Sequence, residues 1–503
     1  MKYDFLLKQF SETEINNTNI AIAGSDKDID WKELKNNAEQ LKTVFDKISI
    51  PQGHPIIIYG HKEVLFPISI LTCIHAGITY IPIDKVYPID RIKNIIEKTG
   101  SQIIINCSDD ETINTEFAIV INKKLEVLTL STPDYKGKTY AIKNDILQYI
   151  MFTSGSTGEP KGVQIAYSSI TAFVKWAIKK FGVTSEDVIL NQALFTFDLS
   201  MWDLLNTLAH GATLVLTSSE LIKHQEAFIE RIIHYKCTLW TSTPSFVYLF
   251  FRNSTFNSNH LTSLKAFYLM GEELPAGTCK FLKSKFENIK IINAYGPTET
   301  TIITTLVEID DAILNTYSSL PIGYAMPESE LMIDKTNPDD NEGELLIAGD
   351  HVSVGYFKNE ELNKQKFFTH NTKRGFRSGD IVYVEDGMFF YKGRNDDQIK
   401  MHGFRIELDE ISNVLCKNEL IIDAVTIPLK RNNEVKKIIS FVIVKITINP
   451  EQLIEQLFFS LSTSLPNYMI PGDIVIVKEF PYNASHKIDK AKLASDYIFS
   501  QTS

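Results

Sequence analysis

The chain lacks the marks of several large protein classes. It has no basic excess: 51 Lys+Arg stand against 62 Asp+Glu, for a net charge of -11. Nucleic-acid binders ordinarily carry the opposite balance, so that class is set aside. Cysteine is scarce. Five residues lie at 73, 107, 237, 279 and 416, with no CxxC spacing. That excludes a disulfide framework and a cysteine-built metal site, and buried, reduced thiols are expected. No apolar run approaches the ~20 residues of a membrane-spanning helix. The opening MKYDFLLKQFSETEINNT has no signal-peptide core. A cytoplasmic protein is expected. Repeats, low-complexity tracts and long Pro/Ser linkers are also missing.

What is present is ordinary globular material, 44% apolar and 22% charged. A chain of 503 residues is too long for one core, so two or more domains are expected. In the first 145 residues short apolar runs alternate with helical patterns. HPIIIYG (54–60), GITYIPID (77–84) and SQIIINC (101–107) read as strands, with helices over 64–76 and 89–100. The alternation restarts after residue 160, with strands at 212–218, 237–243, 266–272 and 289–296. Strands alternating with helices predict parallel sheets covered on both faces. The fold class is therefore α/β: two doubly wound lobes, then a β-rich subdomain from about 340. A polar, hinge-like stretch, GRNDDQIKMHG (393–403), leads into a small α+β domain read as β-α-β-β-α-β. The boundary falls near Asp396, giving domains 1–394 and 395–503.

One segment, MFTSGSTGEPKGVQI (151–165), packs glycines, hydroxyls and a lysine between apolar flanks. Backbone N–H groups in such a loop converge on phosphate. It is not a Walker A loop. Five positions after Gly155 stands Pro160, and Gly162 follows Lys161. The stretch resembles instead the phosphate loop of the adenylate-forming (AMP-binding) superfamily. NAYGPTETT (293–301) resembles that family's adenine and metal motif, and FRSGD (376–380) its ribose motif. GRNDDQIKMHGFRIELDEI (393–411) resembles the hinge motif. SHKIDK (485–490) lies where the family keeps a catalytic lysine. The order and spacing match over nearly the whole chain.

The resemblance implies carboxylate attack on the α-phosphate of ATP, with Mg²⁺ as cofactor. Two anions must meet, so positive charge, a metal and alignment are needed. It assigns the phosphates to Thr153, Ser154, Gly155, Ser156, Thr157, Gly158 and Lys161. Ala294, Tyr295, Gly296, Asp380 and Arg394 would meet adenine and ribose. Glu299 would hold the metal, Lys487 would carry adenylation, and Asp396 would be the hinge of a mobile C-terminal domain. Two stretches depart from the family: Ser485-His486 replaces Asn-Gly, and Val354 stands where arginine is frequent. The second reads as peripheral.

FDLS (197–200) matches the amino-acid-activating branch, where this aspartate pairs with the substrate ammonium. A bland role for Asp198 is helix N-cap. Alignment by motif places Leu199, Trp202, Thr241, Tyr268, Met270, Ala294, Ile302 and Ile303 around the substrate side chain. Thr241 and Tyr268 supply the only hydroxyls, and a small or medium uncharged amino acid is expected. YGHKE, TSTPSFV, GEELP and SLPIG resemble the D-alanine ligase branch, in which a cysteine is expected where Met270 stands. No carrier-type phosphopantetheine site or HHxxxDG motif is found, so a thioester would form on a separate carrier protein, with coenzyme A or a free amine as the other acceptors. An acyl- or aryl-CoA synthetase and a degenerate nucleotide binder are the alternatives.

Overall fold

The computed structural model describes residues 18–502, apart from 52, 137–138, 141, 143–144, 156–159, 336–339, 397, 432–433, 446–448 and 482–487. The chain forms two compact units. The first holds the residues up to Lys85, Ile96–Phe152 and Gly162–Asn395. The second gathers Val86–Ile95, Thr153–Lys161 and Asp396–Ser503.

The first unit is built on two large sheets. In one, the parallel strands Tyr80–Asp84, Ile56–Gly60 and Ile103–Asn106 lie side by side and are buried throughout. Runs such as IIIYG and IIIN are what a strand covered on both faces requires. The other sheet has 14 strands among the described residues. Its parallel part runs Ile20–Ala23, Thr213–Leu216, Val188–Asn191, Leu239–Ser242, Ala266–Met270, Lys290–Tyr295. It continues antiparallel through Thr305–Glu308 and Pro321–Ala325 into Met388–Arg394, Lys373–Glu385, Glu342–Ala348 and Glu330–Asp334.

The mixed α/β class is therefore the one expected, with two differences in detail. The β-rich stretch extends the second lobe's sheet rather than standing apart. Ile20–Ala23 also leaves the N-terminal lobe to pair with Thr213–Leu216. A four-residue apolar run carries no signal for a partner so far along the chain.

The second unit begins its C-terminal part with a hairpin, Gln398–Met401 with Phe404–Glu407. His402 (φ 54°) and Gly403 (φ 82°) make its left-handed turn. Helix Leu408–Cys416 follows, then Ile421–Arg431 and Glu434–Val444, with Asp473–Val477 parallel to the latter. Helix Pro450–Ser464 starts on Pro450 at N1, with Asn449 capping Glu451 N, and buries Leu453, Leu457 and Leu461 at four-residue spacing. A last helix, Lys490–Thr502, was not anticipated. All five cysteines are free, and Cys416 is exposed rather than buried as expected. Among the described residues no helix is long and apolar enough to cross a membrane.

Candidate active site

Alternation along four parallel strands builds one wall. Asn191, Thr241, Tyr268 and Ile292 are register neighbours across the sheet, and Met270 neighbours Ala294. With a period of two these share a face. Leu190, Trp240, Phe267 and Ile291 pack into a separate core on the opposite face. Helix Leu199–His210 lies against the wall, with the Trp202 and Tyr268 rings 4.5 Å apart. The structure thus brings Trp202, Thr241, Tyr268, Met270 and Ala294 together. The Tyr268 hydroxyl donates its proton to the Phe181 carbonyl at 2.9 Å, so toward a substrate it is an acceptor. Leu199, Ile302 and Ile303 are buried as well.

Asp198 sits half-buried just before that helix. It does not cap it. Its backbone is already helical (φ -65°, ψ -22°), and its side chain makes no cap hydrogen bond. A capping aspartate has extended backbone and accepts from the first turn. The carboxylate lies close enough to the buried Tyr149 to help burial raise that hydroxyl well above its ordinary pKa.

Gly296 begins a tight elbow. A Cβ there would lie 2.6 Å from Ile303 Cα and 2.8 Å from Ile302 O, so only glycine fits. Thr301 and Ile302 take left-handed φ values of 56° and 75°. The elbow presents Glu299, which is fully buried. Tyr356 donates its hydroxyl to Glu299 Oε1 at 2.6 Å, and Ser353 N–H donates to the Glu299 carbonyl at 2.8 Å. Sequence reading missed Tyr356, although it lies two residues beyond Val354, the departure read as peripheral. The available signal was physical: a buried carboxylate needs a donor.

Asp380 and Arg394 are register partners on neighbouring strands. Asp380 Oδ1 takes the Arg394 guanidinium at 2.5 Å, and Oδ2 takes the Tyr295 hydroxyl at 2.5 Å. Burial and the adjacent carboxylate push the Tyr295 hydroxyl well up, so it stays protonated and donates. The Tyr295 ring is only 6% exposed, which leaves little of its face open to a base.

The phosphate-loop residues belong to the second unit. Ser154 Oγ donates to the Arg405 carbonyl at 2.6 Å, Gly155 N–H to Glu410 Oε2 at 3.0 Å, and Lys161 Nζ to Glu407 Oε1 at 2.8 Å. Thr153 Oγ1 reaches the Lys161 carbonyl at 3.5 Å. Arg91 pairs with Glu410 at 3.0 Å. Burial raises the Glu410 carboxyl, and Arg91 and the Gly155 N–H offset part of that rise. The loop's described donors therefore bond to carboxylate and carbonyl oxygens of the same unit. Ser156, Thr157, Gly158 and Lys487 lie outside the described residues.

The fold is that of the adenylate-forming enzymes. The description "AMP-binding enzyme" matches residues 11–357, and the chain belongs to that family. It is an ATP-dependent, AMP-forming ligase. In sequence it is similar to the D-alanine–D-alanyl carrier protein ligase of Bacillus licheniformis, 34% identical over 502 residues and covering 99% of each chain. In structure it is similar to the Vibrio cholerae adenylation domain AlmE in complex with glycyl-adenosine-5'-phosphate. That match has a TM-score of 0.82 and 22% identity, over 98% of this chain and 97% of that one. It is also similar to o-succinylbenzoate CoA synthetase (MenE) from Bacillus subtilis, with a TM-score of 0.81 and 18% identity over 97% of both. One fold thus serves amino-acid and CoA-ligase branches, and only the site separates them.

Proposed function

We propose that the chain activates a small or medium uncharged amino acid and loads it onto a separate carrier protein. The substrate carboxylate oxygen attacks the α-phosphorus of ATP, the bond to the β-phosphate breaks, and pyrophosphate leaves. The phosphopantetheine thiol of the carrier then attacks the aminoacyl carbonyl, and AMP leaves. The observation that carries this reading is Asp198. It precedes a helix it does not cap, beside a wall with no second charge among Trp202, Thr241, Tyr268, Met270 and Ala294. A carboxylate there suits an ammonium group, which fatty and aryl acids lack.

Asp380, held by Tyr295 and Arg394, would accept the ribose hydroxyls. Glu299 has the oxygen chemistry Mg²⁺ takes and would hold it together with nucleotide phosphates, where the ion neutralises phosphate charge. Lys487 would bridge the carboxylate and the α-phosphate, with Asp396 as hinge between half-reactions. D-alanine heads the candidates, because the 34%-identical relatives are named for it. Met270 stands where that branch is expected to carry a cysteine, which leaves room for a neighbouring substrate. A cytoplasmic location is part of the proposal.

Amino-acid-dependent ATP–pyrophosphate exchange tests this. The panel is the proteinogenic amino acids, D-alanine and other small D- and β-amino acids. Strong exchange with one small uncharged amino acid, lost in Asp198→Ala and Lys487→Ala, is expected. Exchange confined to fatty or aryl acids would move the chain to the CoA-ligase branch. ATP binding without any exchange would make it a non-catalytic binder.

A further inference from the structure

Lys62 follows strand Ile56–Gly60 and is 0% exposed. A lysine so deep is costly unless it is paired and hydrogen-bonded. Its ammonium donates to Asn191 Oδ1 and, at 2.5 Å, to the Ala193 carbonyl. It also lies 4.7 Å from the centroid of the Phe195 ring. The Asn191 amide N–H in turn donates to Asp203 Oδ2 at 2.7 Å. Asn191 and Asp203 are likewise 0% exposed. Cation, carboxamide and carboxylate form one buried line. Burial weakens both charges; Asp84 and then Asp203 offset part of it at Lys62, and the Asn191 hydrogen bond and then Lys62 offset part of it at Asp203.

The line holds one stretch of chain from both ends. Asn191 closes strand Val188–Asn191, Ala193 and Phe195 lie in the connection, and Asp203 is in the second turn of helix Leu199–His210. Between them sits Asp198, and next to Asp203 sits Trp202. Asn191 is also the register neighbour of Thr241, on the wall itself.

We propose that Lys62 is a positioning residue for amino-acid recognition: by fixing Asn191, the Ala193 carbonyl and Asp203, it sets Asp198 and Trp202 against the Thr241–Tyr268 wall. This rests on the reading of Asp198 as the ammonium partner. Lys62 itself touches no substrate. Its contribution is pre-organisation, which lowers the ordering that binding would otherwise require. The ATP-facing residues Tyr295, Asp380 and Arg394 are on other strands, so their work should be spared.

The test is ATP–pyrophosphate exchange of the full chain, titrating D-alanine, glycine and the strongest amino acid of the panel. Lys62→Met should raise the amino-acid KM about tenfold or more while the ATP KM stays within about threefold. Asp203→Asn should do likewise, and the double variant should be less impaired than the product of the two. A purely structural role would lower the thermal midpoint and the active fraction without moving the amino-acid KM. If Lys62→Met does not fold, Asn191→Ala breaks the same line with both charges in place and carries the same expectation. An amino-acid KM within about threefold of wild type in either folded variant overturns the proposal. If Asp198→Ala is also silent, the functional reading itself fails. If Asp198→Ala abolishes exchange and Lys62→Met does not, only this inference fails.

Discussion

At the residue scale, His351 is held neutral at pH values where a free imidazole would be protonated. It is fully buried, and neither ring nitrogen has a hydrogen bond among the described residues. Burial, then the nearby charges of Arg374 and Lys373, hold its pKa down to about 3. In the unfolded chain the imidazole takes up its proton near pH 6.5. Between pH 6.5 and about 3 the unfolded state therefore holds more protons, and stability falls as the pH drops through that window. One group contributes about 1.4 kcal/mol per pH unit. His75 and His210 are shifted down by burial as well and add to the trend. His351→Gln removes one titration, so its thermal midpoint should fall less than that of wild type between pH 7.5 and pH 5. Equal falls would mean that the imidazole titrates normally in the native state.

At the element scale, the site depends on short pieces that meet from distant parts of the chain. The two-residue strand Gly355–Tyr356 pairs with Val163 and Gln164, and this pairing aims the Tyr356 hydroxyl at the Glu299 elbow. A hydrogen bond to a charged group contributes about 1.5–3 kcal/mol. Tyr356→Phe should therefore slow ATP–pyrophosphate exchange by roughly 10–100-fold at saturating substrates, and lower the thermal midpoint by a few degrees because a buried carboxylate loses a donor. An unchanged rate would show that Glu299 keeps its position without this donor.

The same contrast separates what the sequence made legible from what it did not. Glu299, Asp380 and Arg394 could be named because each lies in a contiguous motif. The wall of Thr241, Tyr268, Met270 and Ala294 follows once strands are recognised, because alternate residues share a face. Tyr356 and Lys62 were invisible as partners. Their bonds reach 57 residues back and 129 residues forward, and no local period records such a pairing. Strand Ile20–Ala23 was hidden for the same reason.

At the scale of the whole molecule, each unit has an apolar core of its own. In the first unit, one cluster joins residues such as Ile58, Tyr149, Trp202 and Tyr268, and another gathers Trp240, Phe250 and Phe267. In the second, Leu453, Leu457 and Leu461 pack with Ile411, Ile438, Val442 and Ile474. Chains with separate cores commonly depart from two-state unfolding. Leu457 is 0% exposed, so Leu457→Ala removes buried methyl groups and leaves a cavity. Such changes cost about 2–5 kcal/mol. In a unit of this size that lowers a melting midpoint by on the order of 10 °C. Scanning calorimetry of the variant should show one transition displaced downward and the other in place. The displaced transition should be the smaller in enthalpy, because enthalpy scales with the number of residues that melt. Trp240→Phe, in the first unit, should move only the larger. If either substitution shifts a single joint transition, the two cores melt as one, and the second unit draws its stability from the first.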